Sequence, residues 1–297
     1  MYSRILIPLD GSQTAEKVLP YARSLAKNLK IPVELMVATE ILTLTPAKAH
    51  HLDMLVDAAI LRNQAYLQKI SQTFTGVSVN YTVEAGMPEE AIIMKAARDP
   101  GTLITMATHG RSGAKRWLLG SIAEKVLRGS SNPVLLVRAN EEAKTEAEAA
   151  PDQIIVPLDG SELAEAVLPS VAELAKAIKL KVILLQSYTL PPIIGGYEGY
   201  IPDLDLNELR AQATEDAANY LEGKVRELKN QGLDDVTPLA SEGEAAETII
   251  ELARGSPNSL IAMCTHGRSG VKRWILGSVT EKVVRHSGDP VLVVRPT

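Results

Sequence analysis
Short runs of β-branched and aliphatic residues alternate along the chain with longer stretches whose apolar positions recur at helical spacing. In the first half this pattern predicts strands at about 3–8, 33–38, 77–83, 103–107 and 133–137, and helices near 13–29, 50–73, 88–98 and 120–129. Pro88 falls early in its helix, where a missing N–H does no harm. Leu103-Ile104-Thr105-Met106-Ala107 and Pro133-Val134-Leu135-Leu136-Val137 are nearly continuous apolar runs, as expected of strands covered by helices on both faces. Alternating strands and helices give an α/β domain with an open parallel sheet. In such sheets ligands bind beyond the C-terminal strand ends at the topological switch point, which directs attention to the residues after the first and fourth strands.

The pattern occurs twice. Ile5-Leu6-Ile7-Pro8-Leu9-Asp10-Gly11-Ser12 recurs as Ile154-Ile155-Val156-Pro157-Leu158-Asp159-Gly160-Ser161, an offset of 149 residues. Thr108 to Arg138 aligns without gaps on Thr265 to Arg295 at an offset of 157, with 22 of 31 positions identical. The difference, 157 − 149 = 8, is a net insertion in the second copy, expected in the loop 189–202. That loop's glycines and tyrosines suit either a lid beside the second site or a surface excursion. A period near 150 residues is a domain duplication, far longer than a solenoid unit. Between the copies the segment 140–150 is acidic and lacks large apolar residues, so it reads as an exposed linker. The expected organisation is a domain at 1–139, a linker at 140–151 and a second domain at 152–297.

Composition narrows the class. With 45% hydrophobic and 23% charged residues the chain resembles an ordinary globular protein, and each half is long enough to bury its own core. A net charge of −5 argues against nucleic acid as the main partner, because phosphate-backbone binding draws on clustered Lys and Arg. The single cysteine, Cys264, excludes an intrachain disulfide and a multi-cysteine metal site, and fits a reducing compartment. No apolar run approaches the roughly 18 residues that span a bilayer, and the N-terminal residues lack the pattern of a secretory signal; the expectation is a cytoplasmic protein with no membrane partner.

Candidate chemistry concentrates after the fourth strand. The segment from Ala107 to Glu124 holds Gly110, Gly113 and Gly120 with Arg111, Lys115 and Arg116, and no acid until its helix begins. Glycines let backbone N–H groups approach a ligand closely, and a helix N-terminus adds unpaired donors, so the segment suits a phosphate chain. The second copy repeats it from Cys264 through Glu281. Ser121-x-x-Glu124 and Ser278-x-x-Glu281 also match a capping box, which needs no ligand. Asp10 and Asp159 end the first strand of each copy, where a carboxylate can accept hydrogen bonds from a base or ribose, or cap the next helix. Local spacing implies no Ser, Cys or carboxylate partner for His109 or His266, so a structural role is favoured over catalysis and no catalytic residue is assigned. Trp117 and Trp274 suit packing against helix or sheet. The chain lacks G-x-x-x-x-G-K-[ST], G-x-G-x-x-G after the first strand, and G-x-S-x-G, which leaves a P-loop NTPase, an ordinary dinucleotide site and a hydrolase elbow unsupported.

Gly110, nine residues and Gly120-Ser121, repeated as Gly267, nine residues and Gly277-Ser278, together with the Pro-Leu-Asp-Gly-Ser opening of each half, resemble the universal stress protein family in its tandem form. The resemblance implies two Rossmann-like domains of the adenine nucleotide α-hydrolase type, each with a five-stranded parallel sheet of order 3-2-1-4-5. It implies that Asp10 and Asp159 contact adenine, that Ala38 and Ser187 offer backbone to the base, and that Ala107 and Cys264 lie near the ribose. Gly110, Gly120, Ser121, Gly267, Gly277 and Ser278 would hold phosphates. Pro8, Leu9, Arg111 and Ile122, with Pro157, Leu158, Arg268 and Val279, complete the expected sites. The ligand would be ATP, ADP or AMP, with any Mg2+ held by the phosphates rather than by a protein metal site. The implied role is regulatory, in stress or energy state, with little or no hydrolysis; an ATP-cleaving enzyme of the α-hydrolase group and an apo interaction scaffold are the alternatives. The resemblance further implies an intrachain pseudo-dimer through the fifth strands, 133–137 and 290–294, and allows a homodimer of whole chains.

Overall fold
The computed structural model describes residues 2–39, 49–109, 119–138, 145, 147, 149–190, 206–267 and 276–296. The first copy runs β1 (Arg4–Leu9), α1 (Gln13–Glu16), α2 (Leu19–Leu29), β2 (Val33–Thr39), α3 (Ala49–Ser71), β3 (Val79–Ala85), α4 (Pro88–Ala97), β4 (Thr102–Ala107), α5 (Ser121–Gly129) and β5 (Val134–Val137). The second runs β6 (Gln153–Pro157), α6 (Glu162–Glu165), α7 (Leu168–Ile178), β7 (Lys181–Tyr188), α8 (Leu206–Asn230), β8 (Val236–Glu242), α9 (Ala245–Arg254), β9 (Ser259–Cys264), α10 (Ser278–His286) and β10 (Val291–Val294).

The ten strands among the described residues form one sheet, in the order β3-β2-β1-β4-β5-β10-β9-β6-β7-β8. Each half is therefore the doubly wound order 3-2-1-4-5, parallel throughout, and β5 and β10 join the halves antiparallel. Leu135 lies opposite Leu292 in that pairing, and 292 − 135 = 157 is the offset of the repeat itself. Each copy thus meets its own equivalent across a local twofold, the arrangement of an isologous dimer enclosed within one chain.

Strand alternation assigns the two faces. Ile5, Ile7 and Leu9 of β1 enter a core that includes Leu25 of α2 and Leu67 of α3, whereas Leu6 enters another with Ile92 of α4 and Val126 of α5. Both cores cross the junction: Leu135, Val137, Leu292 and Val294 lie in the first, and Val134, Leu136, Val291 and Val293 in the second. The duplication has fused two hydrophobic layers rather than strung two separate globules.

Three local expectations change. The helix expected at 13–29 is two helices, because Pro20 has no N–H to donate to the carbonyl four residues back, and it sits instead in the first turn of α2. The linker is not wholly exposed: Ala149 is buried in the first core, and its N–H bonds to the Thr145 carbonyl at 3.0 Å. The insertion is also divided. Tyr66 donates to Glu16 Oε1 at 3.0 Å, and Tyr220 donates to Glu165 Oε1 at 2.8 Å, so these tyrosines correspond at an offset of 220 − 66 = 154. Five extra residues (154 − 149) therefore precede this point of α8 and three (157 − 154) follow it before β8. Residues 191–202 of the loop to which the whole insertion was ascribed lie outside the described residues.

Candidate functional site
At the C-terminal ends of β1, β2 and β4 a cavity of about 550 Å³ opens, within the roughly 300–1,000 Å³ usual for small-molecule sites. Its floor is Pro8, Leu9 and Asp10 from β1 and the turn after it, Ala38 and Thr39 from β2, and Ala107 from β4. One side is the start of α5, with Gly120, Ser121 and Ile122. Every first-copy candidate among the described residues thus lies on one cavity; Gly110 and Arg111, with Lys115, Arg116 and Trp117, lie outside them. Because β1 is flanked by β2 and β4, the two ends of the cavity lie about two strand spacings apart, roughly 10 Å.

The α5 end is fixed by backbone. Gly120 is the N-cap, its N–H bonds to the Thr108 carbonyl at 2.8 Å, and a Cβ at this position would sit 2.8 Å from that same oxygen. Gly277 repeats the arrangement, with its N–H 2.7 Å from the Thr265 carbonyl and a hypothetical Cβ 2.9 Å from it. Only glycine lets the chain leave the fourth strand's end and enter the helix so directly. Ser121 and Ser278 are consequently the first helical residues and cap nothing, so the capping-box reading of the sequence is overturned. With no side chain among the described residues capping α5, the helix N-terminus and its partial positive charge stand at the edge of the cavity.

Asp10 is held at the β1 end. Its Oδ1 accepts from Ser12 N at 2.9 Å and from Ser12 Oγ at 2.6 Å, while Ser12 Oγ itself caps α1 by accepting from Ala15 N at 3.1 Å. The helix cap is thus Ser12, and the carboxylate orients it. Asp159 and Ser161 reproduce this at 3.0 and 2.6 Å.

In the second copy the sequence candidates again lie at the strand ends: Pro157 ending β6 with Leu158 and Asp159 after it, Ser187 near the end of β7, Cys264 ending β9, and Ser278 and Val279 opening α10. Gly267 packs so near Asp159 that a Cβ there would lie 2.2 Å from Oδ2, which brings the β9 loop against the β6 carboxylate. Arg268 and Trp274 lie outside the described residues. Cys264 is buried, and burial foremost pushes its thiol up to about 12, so it is a packing group rather than a nucleophile. Thr280 donates to the Cys264 carbonyl at 2.8 Å, where the first copy has Ala123.

The histidines are placed alike. His109 Nδ1 lies 3.1 Å from Thr108 Oγ1 and His266 Nδ1 lies 3.0 Å from Thr265 Oγ1, and both Nε2 atoms are buried without a partner among the described residues. His109 is part of the cavity wall. Burial, then the charges of Arg138 and of Arg285 from the other half, hold its pKa below the usual histidine value, so the ring is neutral at pH 7. No cluster of three metal-ligating side chains occurs among the described residues.

Sequence reasoning missed the opposite wall. Arg62 and Asn63 of α3, with Pro88 and Ile92 of α4, line the same cavity. Helical periodicity gives α3 its apolar stripe but does not say which of its polar positions overhang β2.

Residues 1–138 and 151–295 each match the sequence profile of the universal stress protein family. A universal stress protein of Methanocaldococcus jannaschii is 32% identical over 154 residues, covering 48% of this chain and 94% of that protein. One from Mycobacterium tuberculosis is 24% identical over 302 residues, covering 98% of this chain and 96% of its own length. Among solved structures, a universal stress protein from Archaeoglobus fulgidus superposes with a TM-score of 0.68 over 98% of both chains at 22% identity, a likeness of fold. No described helix is long and apolar enough to cross a membrane. With the profile matched once in each half of the ten-stranded sheet, the chain belongs to the universal stress protein family and is a tandem, two-domain member of it.

Proposed function
We propose that the protein binds adenine nucleotides, ATP, ADP or AMP, and acts as a regulatory component of a cytoplasmic stress or energy response, with little or no hydrolysis. The observation that carries this reading is the glycine N-cap. Gly120 caps α5 without a side-chain bond at one end of a cavity whose floor holds Asp10, so the helix N-terminus and the carboxylate suit a phosphate chain and the polar edge of a base or ribose. The buried Nε2 of His109 in the same wall has no partner among the described residues, which fits a polar ligand. Bound nucleotide would supply its own negative charge, and any Mg2+ would be held by its phosphates. We assign the binding residues of the first copy as Pro8, Leu9, Asp10, Ala38, Ala107, Gly110, Arg111, Gly120, Ser121 and Ile122, with their equivalents in the second. The domains are taken as 1–139 and 152–297, and two chains are proposed to associate as a homodimer. Mass spectrometry of nucleotide released from the purified chain, followed by calorimetric titration with ATP, tests the reading. One or two nucleotides per chain are expected, and a chain that neither retains nor binds adenine nucleotide refutes it.

A second reading, cleavage of ATP at its α-phosphate, is favoured by one feature: His109 is neutral, and its buried Nε2 has no partner among the described residues of the cavity wall. AMP formed with turnover and lost in the double variant His109→Ala, His266→Ala would establish it.

A further inference from the structure
We infer that α3 gives the first site a base-reading wall, formed by Asn63 and Arg62, that the second site lacks, so that the first copy selects adenine while the second holds a nucleotide mainly by its phosphates. The inference rests on the nucleotide reading above. Asn63 and Arg62 line the cavity beside Ala38 and Thr39 at the end of β2, on the far side of β1 from α5. With phosphates at α5, this is the end that receives the base. Asn63 Nδ2 donates to Thr39 Oγ1 at 3.0 Å, which fixes the amide. An amide has two N–H hydrogens and an acceptor oxygen, so a second N–H and Oδ1 are left to meet a ligand. That donor and acceptor pair matches N7 and the 6-amino group of adenine and mismatches the 6-oxo group of guanine. Arg62 adds a planar guanidinium to the same wall, able to stack on the face of the ring.

The second copy replaces all three residues. Tyr66 and Tyr220 fix the helix correspondence at 154, so Arg62 corresponds to Asp216 and Asn63 to Ala217. Leu67 and Leu221, both wholly buried, keep the same register. Thr39, in the strand register offset by 149, corresponds to Tyr188, whose hydroxyl lies 2.6 Å from Thr214 Oγ1 of α8. The charge of the wall is inverted, and Ala217 is buried and has no polar side chain to offer. The floor and the helix N-terminus are shared by the copies, whereas this wall is not.

Calorimetric titration of the full chain with ATP, GTP and inorganic tripolyphosphate, the last a probe without a base, tests the inference in wild type, Asn63→Ala, Arg62→Asp and Asp216→Arg. Arg62 and Asp216 are exposed, and circular dichroism checks each fold. Two unequal ATP events are expected. Asn63→Ala and Arg62→Asp should each weaken the tighter one about tenfold, the size of one well-placed polar or cation–π contact. Asn63→Ala should also narrow the preference for ATP over GTP, Asp216→Arg should strengthen the weaker event, and tripolyphosphate binding should stay within about twofold, its residual change being screened surface charge. Wild-type affinity for ATP in both first-copy variants, or equal losses for ATP and tripolyphosphate, overturns the inference and leaves the nucleotide reading standing. A wild-type chain that binds no ATP defeats both.

Discussion

Gly120→Ala is the most direct probe of the arrangement at α5. Gly120 has φ −62° and ψ 145°, values any residue adopts, so a methyl group adds no backbone strain of its own. Its cost is contact: the new Cβ would lie 2.8 Å from the Thr108 carbonyl oxygen and 3.5 Å from His109 Cα. Relief requires a displacement of about 0.5 Å to restore ordinary carbon–oxygen packing. The carbonyl cannot easily yield, since Thr108 is buried and its N–H bonds to the Val137 carbonyl at 2.9 Å. The start of α5 must move instead, which stretches the 2.8 Å bond from Gly120 N to Thr108 O and pulls on Val126 and Leu127 in the core. Overpacking of this kind, with the poorer capping of alanine, costs about 2–3 kcal/mol. That lowers the melting temperature of a chain this long by roughly 3–5 °C. Because the displaced group is the helix N-terminus, first-site ATP affinity should fall about tenfold or more. Differential scanning calorimetry and ATP titration read the two effects. Gly223→Ala in α8, where a Cβ would meet nothing within 4 Å, is the matched control, and it should stabilise by about 0.5–1 kcal/mol. A Gly120→Ala protein that melts with wild type and binds ATP unchanged would refute the role assigned to this glycine.

Three further outcomes are expected. Both hydrophobic cores run through β5 and β10, so unfolding in guanidinium should be a single transition with coincident fluorescence and circular dichroism; two resolved steps would show that the halves unfold separately. Cys264 is buried, with its thiol pushed up to about 12, so a disulfide reagent at pH 8 should label it only as fast as the protein opens, and rapid labelling of native protein would contradict that burial. Lys95 pairs with Glu34 at 2.9 Å and Glu84 at 3.0 Å, and the hydrogen bond from Lys95 foremost holds Glu84 below its ordinary pKa. For Lys95 itself burial acts downward, but the bonds it donates to Glu34 and Glu84 outweigh it and leave its pKa raised. A depressed carboxylate contributes stability above its unfolded pKa and loses it as pH falls, while a raised lysine contributes below its unfolded pKa and loses it as pH rises. Lys95→Met should therefore destabilise by about 1–3 kcal/mol at neutral pH, and the deficit should shrink below the ordinary carboxylate range. Denaturation across pH 3–9 checks this, and a deficit independent of pH would mean that lost packing, not charge, is responsible.

The sequence by itself determined the α/β alternation, the duplication and the glycine-serine helix starts, because each is written in short-range signals: period-2 and helical spacing, exact recurrence, and glycine where a side chain cannot fit. Pro20, by contrast, lay inside a single helix expected at 13–29, and the break between α1 and α2 emerged only in the structure. Tertiary structure decided what depends on how elements meet. Ser121 matched a capping box in sequence, yet the approach of Gly120 to the Thr108 carbonyl moved the helix start back by one residue and left the serine uncapping. Asp10 could have capped α1, but Ser12 stood nearer the helix donors. The division of the insertion emerged only from the matched bonds of Tyr66 and Tyr220. Above all, the wall of Arg62 and Asn63 was invisible in the chain, since the rotation of α3 about its axis is set by the packing of Leu67 and Ile70 in the core. A helix advertises which face is apolar, but only its neighbours decide which polar side chains then overhang a site.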